Sequence, residues 1–213
     1  MQLDGGGADV LGFGGRREIG RHPLHIGGGV RKGDRLARGR GDAMQDAAEI
    51  AGGDLSGGCA CGAARYRVSR APIFVNNCHC RRCQVQTGST SVVNMFLEAE
   101  CVDLLSGRLS EHVVKAGSGG DHIICRCTAC GTALWSYYPR LGRLGAGVRV
   151  GTLDDPARVK LDAVIFTASK MPWTALPEDI PCFEATYNPA ELLPPDRFSR
   201  LEALIVQRAA GGG

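Results

Sequence analysis

The sequence contains no apolar run approaching the ~18–20 residues of a membrane span, so no transmembrane helix is expected. Its first residues lack the apolar core of a signal peptide, and we expect a cytoplasmic protein. Strong charge of either sign is also missing. The formal net charge is +3, too small to point to nucleic acid or an anionic membrane as partner. Lysine is scarce, with 4 lysines among 25 basic residues, and the arginines are scattered rather than clustered. Residues 1–53 lack cysteine altogether and hold 15 of the 31 glycines. Stretches such as "DGGGADVLGFGGRR" bury too little surface to offset the chain entropy of ordering. We expect 1–53 to be a disordered Gly/Arg-rich extension, with Met44 reading as a natural start. Its glycine clusters lack the flanking strand and helix of a phosphate loop.

Cysteine, by contrast, is abundant. All ten cysteines fall in residues 54–189. Cysteines one or two positions apart are poorly placed to pair with each other but well placed to share a cation. With no export signal, the expectation is a reducing compartment and metal-bound thiolates rather than disulfides.

The same segment reads with period two. "ARYRV" (64–68), "IFVNN" (73–77), "SVVNMFL" (91–97), "HVVKA" (112–116), "DHIICRC" (121–127), "ALWSYY" (133–138) and "GAGVRVGTL" (145–153) are predicted strands, punctuated by Gly- and Ser-rich turns. Many short strands without a long helical stretch predict an all-β, antiparallel domain over 54–189. Residues 190–213 are expected to form a C-terminal helix and tail. Phe198, Leu201, Leu204 and Ile205 fall at helical spacing, with Asp196 or Ser199 as candidate caps.

Three cysteine clusters carry the chemistry. Cys127 and Cys130 have the C-x-x-C knuckle spacing, followed by Gly131, which allows backbone amides to turn toward the sulfurs. Cys59 and Cys61 can face one metal from a strand end, since side chains at i and i+2 share a face. Two ligands from each of two distant segments make a closed tetrahedral site, so Cys59, Cys61, Cys127 and Cys130 are the expected structural zinc set. Cys78, Cys80 and Cys83 then form a second set with no obvious fourth ligand. Three protein ligands and one exchangeable position are the pattern of a catalytic zinc. Zinc lowers the pKa of a thiol that binds it, so three thiolates and an open position argue for sulfur chemistry. Two zinc ions per chain are expected. A single four-thiolate site with three cysteines left over is the alternative. His79 is expected to point away from the metal, Cys101 and Cys182 to be buried hydrophobes, and Cys125 to be a spare ligand, a core residue or a redox partner of Cys127. Arg81, Arg82 and Gln84 are candidates to meet a substrate carboxylate, with Thr87 and Ser89 as hydrogen-bonding groups. Trp173 is expected in the core or walling a pocket.

The motifs "GGCACGAARYRV", "NCHCRRCQVQTGS", "CTACGT" and "GTLDDP" resemble, in order and spacing, those of the glutathione-dependent formaldehyde-activating enzyme family, which includes the centromere-protein-V-like proteins. The resemblance covers roughly 54–186. It implies a zinc-stabilised β-tent fold, and a structural zinc on Cys59, Cys61, Cys127 and Cys130. It places a catalytic zinc on Cys78, Cys80 and Cys83. It also implies carbon–sulfur lyase activity, the condensation of glutathione or another small thiol with formaldehyde or a related aldehyde. Two positions depart from the family pattern, Arg126 where an aromatic is usual and Val164 where many relatives carry histidine. A non-catalytic zinc-stabilised binding module is the competing functional reading.

Overall fold

The computed structural model describes residues 54–211. The extension 1–53 and its expected disorder lie outside the described residues.

Each predicted strand is present, and three more join them. The strands are β1 (Leu55–Gly58), β2 (Arg65–Val68), β3 (Phe74–Cys78), β4 (Val92–Glu98), β5 (Val102–Ser106), β6 (Leu109–Lys115), β7 (Asp121–Cys127), β8 (Ala133–Tyr137), β9 (Gly145–Arg149) and β10 (Ala163–Ile165). The helices are α1 (Arg81–Thr87), α2 (Pro189–Leu192) and α3 (Pro195–Ala210). β1, β2 and β5 form a three-stranded sheet, and the order β10-β3-β4-β9-β8-β7-β6 forms a seven-stranded one. All pairings are antiparallel except β10 with β3. The domain is therefore all-β with a short C-terminal helix. No described helix is long and apolar enough to cross a membrane.

Strand alternation sends two different faces of the large sheet to two different jobs. One face carries Val75, Met95, Leu97, Trp135, Ala146 and Val148 and packs against Leu55, Tyr66 and Val68 of the small sheet. Tyr66 meets Trp135 edge-on at 5.9 Å, and its hydroxyl shares a 2.8 Å hydrogen bond with that of Thr152. β1 was not legible as a strand because half of it is glycine. Gly57 is required there, since a Cβ would come within 2.5 Å of the Tyr66 ring and of the Thr152 carbonyl.

The opposite face is polar and aromatic. Asn76 lies opposite Asn94, which lies opposite Arg149. An aromatic row crosses the same face, with Phe74 on Phe96 (4.4 Å), Phe96 on Tyr138 (5.3 Å) and Tyr138 on His122 (4.1 Å). α1 covers part of this face: Cys83 meets Cys78 of β3, and Gln86 meets His122 of β7.

α3 packs as its spacing predicts, with Leu201 and Leu204 buried against Ile73, Leu141 and Leu193, flanked by Phe198 and Ile205. The expected side-chain cap is not formed. Pro195 opens the helix and Pro194 precedes it, so the start lies upstream of Asp196 and Ser199. Proline at the first helical position costs nothing because that N–H has no helical partner. Asp196 instead sits in the first turn, where its charge meets the positive end of the helix dipole. Arg197 donates to the Ile73 carbonyl (2.6 Å) and pairs with Asp162, while Arg200 grips Glu98 with two bonds of 2.8 and 2.6 Å.

Candidate metal centres

The fold converts the cysteine clusters into two groups of converging sulfurs. Cys59, Cys61, Cys127 and Cys130 place their Sγ atoms within 4.8 Å of one another, and Cys78, Cys80 and Cys83 do the same.

The four-sulfur group is built from two turns of similar design. After β1, Gly62 at φ 77° closes a turn in which its N–H donates to the Cys59 carbonyl at 3.0 Å. After β7, Gly131 at φ 76° closes another, its N–H donating to the Cys127 carbonyl at 2.9 Å. Cys59 and Cys61 therefore converge through a turn just beyond β1, and not as i and i+2 neighbours on a strand. The strand has already ended at Gly58, where the chain must bend back to begin β2. The two turns touch, since the Ala60 N–H donates to Thr132 Oγ1 at 3.2 Å. The sulfurs of Cys59 and Cys61 are 3.4 Å apart, and those of Cys61 and Cys127 4.0 Å. Tetrahedral zinc with ~2.3 Å bonds to sulfur holds its ligands roughly 3.8 Å apart, so this spacing fits zinc. A disulfide would need about 2.05 Å.

The three-sulfur group sits at the end of β3 and the start of α1. Cys80 caps the helix, its sulfur accepting from the Cys83 N–H at 3.4 Å, and the Cys83 and Cys78 sulfurs are 3.5 Å apart. Cys78 and Cys83 are buried while Cys80 is partly exposed. Gln84 clamps the loop from beneath, donating to the carbonyls of His79 and Ser169 at 2.8 Å each.

Electrostatics reinforce the geometry. Contacts with the Cys78 and Cys83 thiols pull Cys80 down to about 2 against the cost of burial, with the Cys83 and Arg82 amides helping. Cys78 is held far above the usual thiol range by its contacts with Cys80 and Cys83 and by burial. Cys83 lies at about 11: its contact with Cys78 lowers it, but Cys80 and burial raise it more. In the other group the Thr132 hydroxyl and amide pull Cys130 down to about 5, while the Ala64 amide lowers Cys59. Each cluster thus accommodates an anion readily but resists carrying a thiolate at every sulfur. A divalent cation removes that resistance, which is the donor chemistry expected of zinc sites.

Residues 54–169 match the glutathione-dependent formaldehyde-activating enzyme family. The chain belongs to this family. No curated protein matches it. Among solved structures, a crystal structure of a Rhodobacter sphaeroides protein is similar over 46% of this chain and 87% of that one, with 18% identity and a TM-score of 0.37.

Other expected site residues fall as follows. His79 is buried outside both sulfur groups, its ring desolvated and its pKa lowered by burial. Gln84 is buried, and its amide N–H groups are engaged in the loop clamp. Arg81 is exposed and bonds Gln84 at 3.2 Å, and Arg82 is exposed and reaches the Lys115 carbonyl. Thr87 turns its hydroxyl back onto the Cys83 carbonyl at 2.8 Å, and Ser89 is exposed. Cys125 is a core residue opposite Trp135, its pKa raised by burial to about 11. Cys101 packs at the core edge. Cys182 and Trp173 are exposed, contrary to expectation, because the chain after β10 runs over the surface there rather than entering the core; Trp173 is 74% exposed.

Sequence reasoning missed several residues near the three-sulfur group. Arg149 lies close enough to Cys83 to lower its thiol pKa, His122 feels the Cys80 charge and bonds Gln86 of α1, and no local motif marks any of them. Phe166 packs against the Cys78–Cys83 cluster with a left-handed backbone at φ 56°. A bulky residue in that conformation is strained and persists only where its surroundings hold it. Here its N–H bonds the Ala185 carbonyl at 2.7 Å.

Proposed function

We propose that the chain is a zinc-dependent carbon–sulfur lyase that condenses glutathione, or another small thiol, with formaldehyde or a related aldehyde. The observation that carries this reading is the convergence of Cys78, Cys80 and Cys83 within 4.8 Å, with no fourth His, Cys, Asp or Glu among the described residues in the group. Family membership supports the thiol and the aldehyde. In this reading Cys59, Cys61, Cys127 and Cys130 hold a structural zinc, and Cys78, Cys80 and Cys83 hold the catalytic one.

A zinc held by three thiolates would supply Lewis acidity that lowers the pKa of an incoming thiol from about 8.5 toward neutrality. The reaction itself is balanced without an oxidant. The thiol sulfur forms a bond to the aldehyde carbon, the π pair moves to oxygen, and the proton released by the thiol ends on that oxygen. The chain's part is to hold the reactants together, an effective-concentration gain rather than demanding acid–base work. Cys80 presents its sulfur at the accessible side of the centre, Gln84 fixes the loop beneath it, and burial of Cys78 and Cys83 keeps competing water away from the other two sulfurs.

The test is metal analysis joined to turnover. The native chain should hold about two zincs, and Cys80→Ser should lose about one of them together with activity while keeping its fold. A Cys80→Ser protein that retains both metal and turnover refutes the assignment. A native chain holding one tightly bound zinc and no lyase activity points to a binding module.

A further inference from the structure

The large sheet ends differently at its two edges. At one edge β10 is covered by later chain: the Val164 N–H donates to the Pro181 carbonyl, and the Val164 carbonyl accepts from the Phe183 N–H, both at 2.9 Å. At the other edge β6 pairs with β7 on one side only. No described strand or loop backbone bonds its outer side. Residues 111–115 are all exposed there, Val113 by 59%. An open edge of seven residues with an apolar side chain in solvent is a template for a further strand.

Alternation decides which groups this edge offers. The Ala116 N–H donates to the Gly120 carbonyl at 2.8 Å, so every second residue counted back from Ala116 bonds β7. The residues between, Lys115, Val113 and Glu111, turn their N–H and C=O groups outward. Exposed Arg82 reaches the Lys115 carbonyl, and a carbonyl oxygen accepts a second bond through its other lone pair. The same three residues share one face of the strand. Glu111 is bonded twice by Arg143, at 2.7 and 2.6 Å, and Lys115 pairs with Asp121 at 2.5 Å. The outer edge therefore presents a negative charge, a valine and a positive charge in that order.

We propose that β6 pairs antiparallel with β6 of a second copy of this chain, about a two-fold axis through Val113, so that the two seven-stranded sheets become one. That order of charges is complementary to itself. Glu111 of each copy stands opposite Lys115 of the other, and Val113 meets Val113 at the centre. Each side of the seam then carries a row of alternating charge: Arg143, Glu111, the other copy's Lys115 and its Asp121. A two-fold axis normal to the sheet keeps each face in common, so it must pass through a residue. Through His112 it would set Glu111 against Val113, through Glu111 two carboxylates against each other, and through Val114 Lys115 against Val113. Only the Val113 register joins opposite charges. β5, an edge of the small sheet with Leu104 and Leu105 exposed, has no such match, because Asp103 is its one charged residue. This pairing does not depend on the lyase reading.

Sedimentation of the zinc-loaded full chain tests it, over a concentration series reaching about 100 μM at about 0.15 M salt. The native chain should sediment as a dimer at the upper end. Val113→Pro removes an outward N–H that β7 does not use, so the chain should keep its fold and zinc content and become a monomer. Lys115→Glu and Glu111→Lys each set like charges against each other twice, and each should weaken the dimer roughly tenfold or more. Mixed in equal amounts, these two variants should form a heterodimer about as tight as the native dimer, since both charge pairs are then restored. Should Val113→Pro fail to fold, the charge variants and their mixture still decide. A native chain that stays monomeric overturns the pairing. So does a dimer that survives Val113→Pro in the folded state, or a pair of charge variants that do not associate with each other.

Discussion

Acidification from about pH 7.5 to about 5.5 should weaken the fold measurably through His122. This ring lies on β7, 3% exposed, stacked on Tyr138 and bonded through Nδ1 to the Gln86 amide at 3.1 Å. Burial lowers its pKa from 6.5 to about 4, the Arg149 charge acting in the same direction and Cys80 opposing. Because the folded value lies below the unfolded one, the unfolded chain takes up the proton first. The neutral ring's contribution is whole above the unfolded value and drains away as pH falls toward the folded one. The full difference corresponds to about 3 kcal/mol, of which roughly 1 kcal/mol is lost by about pH 5.5. Urea unfolding of the zinc-loaded protein at a series of pH values measures it. Subtracting the same series for His122→Gln cancels contributions common to both proteins, including that of His79. The stability gap between the two should move by about 1 kcal/mol against the wild type across this interval. Parallel pH profiles, or an imidazole that titrates near its ordinary value by NMR, would show that the site face is not desolvated as described.

Further expectations concern the scaffold. Leu201→Ala removes a 2% exposed side chain from the α3 interface and should cost about 2–5 kcal/mol in chemical denaturation, with the zinc content unchanged. Glu98→Gln leaves Arg200, whose side chain is 16% exposed, without its charge partner, and should destabilise by about 3 kcal/mol or more; a loss under about 0.5 kcal/mol would mean that the pair contributes little. Gly131→Ala meets open space but must adopt φ 76°, so a backbone cost of about 1–2 kcal/mol is expected, read as faster zinc loss to a chelator from the four-sulfur group.

What the sequence determined by itself is what short-range geometry dictates. Alternation over stretches such as "SVVNMFL" and "DHIICRC" marked strands, because a half-buried strand must send successive side chains to opposite faces. The C-x-x-C and C-x-C spacings marked sulfurs that converge, because only a few bonds separate them. Helical spacing of Phe198, Leu201, Leu204 and Ile205 marked the apolar stripe of α3. Glycine and proline hid the rest: β1 reads as a loop until Tyr66 is seen crossing Gly57, and the Pro194–Pro195 pair displaced the helix start from the polar residues expected to cap it.

Only the tertiary structure decided which distant residues meet. Cys61 and Cys127, 66 positions apart, are brought within 4.0 Å because β1 and β7 end at neighbouring turns. Arg149 stands beside Asn94 and Ser136, and His122 beside Gln86, because the register of β4, β9, β8 and β7 aligns them on one face under α1. No local pattern distinguishes such a buried arginine from a solvated one. Its surroundings are set by strands up to 55 residues away along the chain, and those contacts exist only once the sheet has formed.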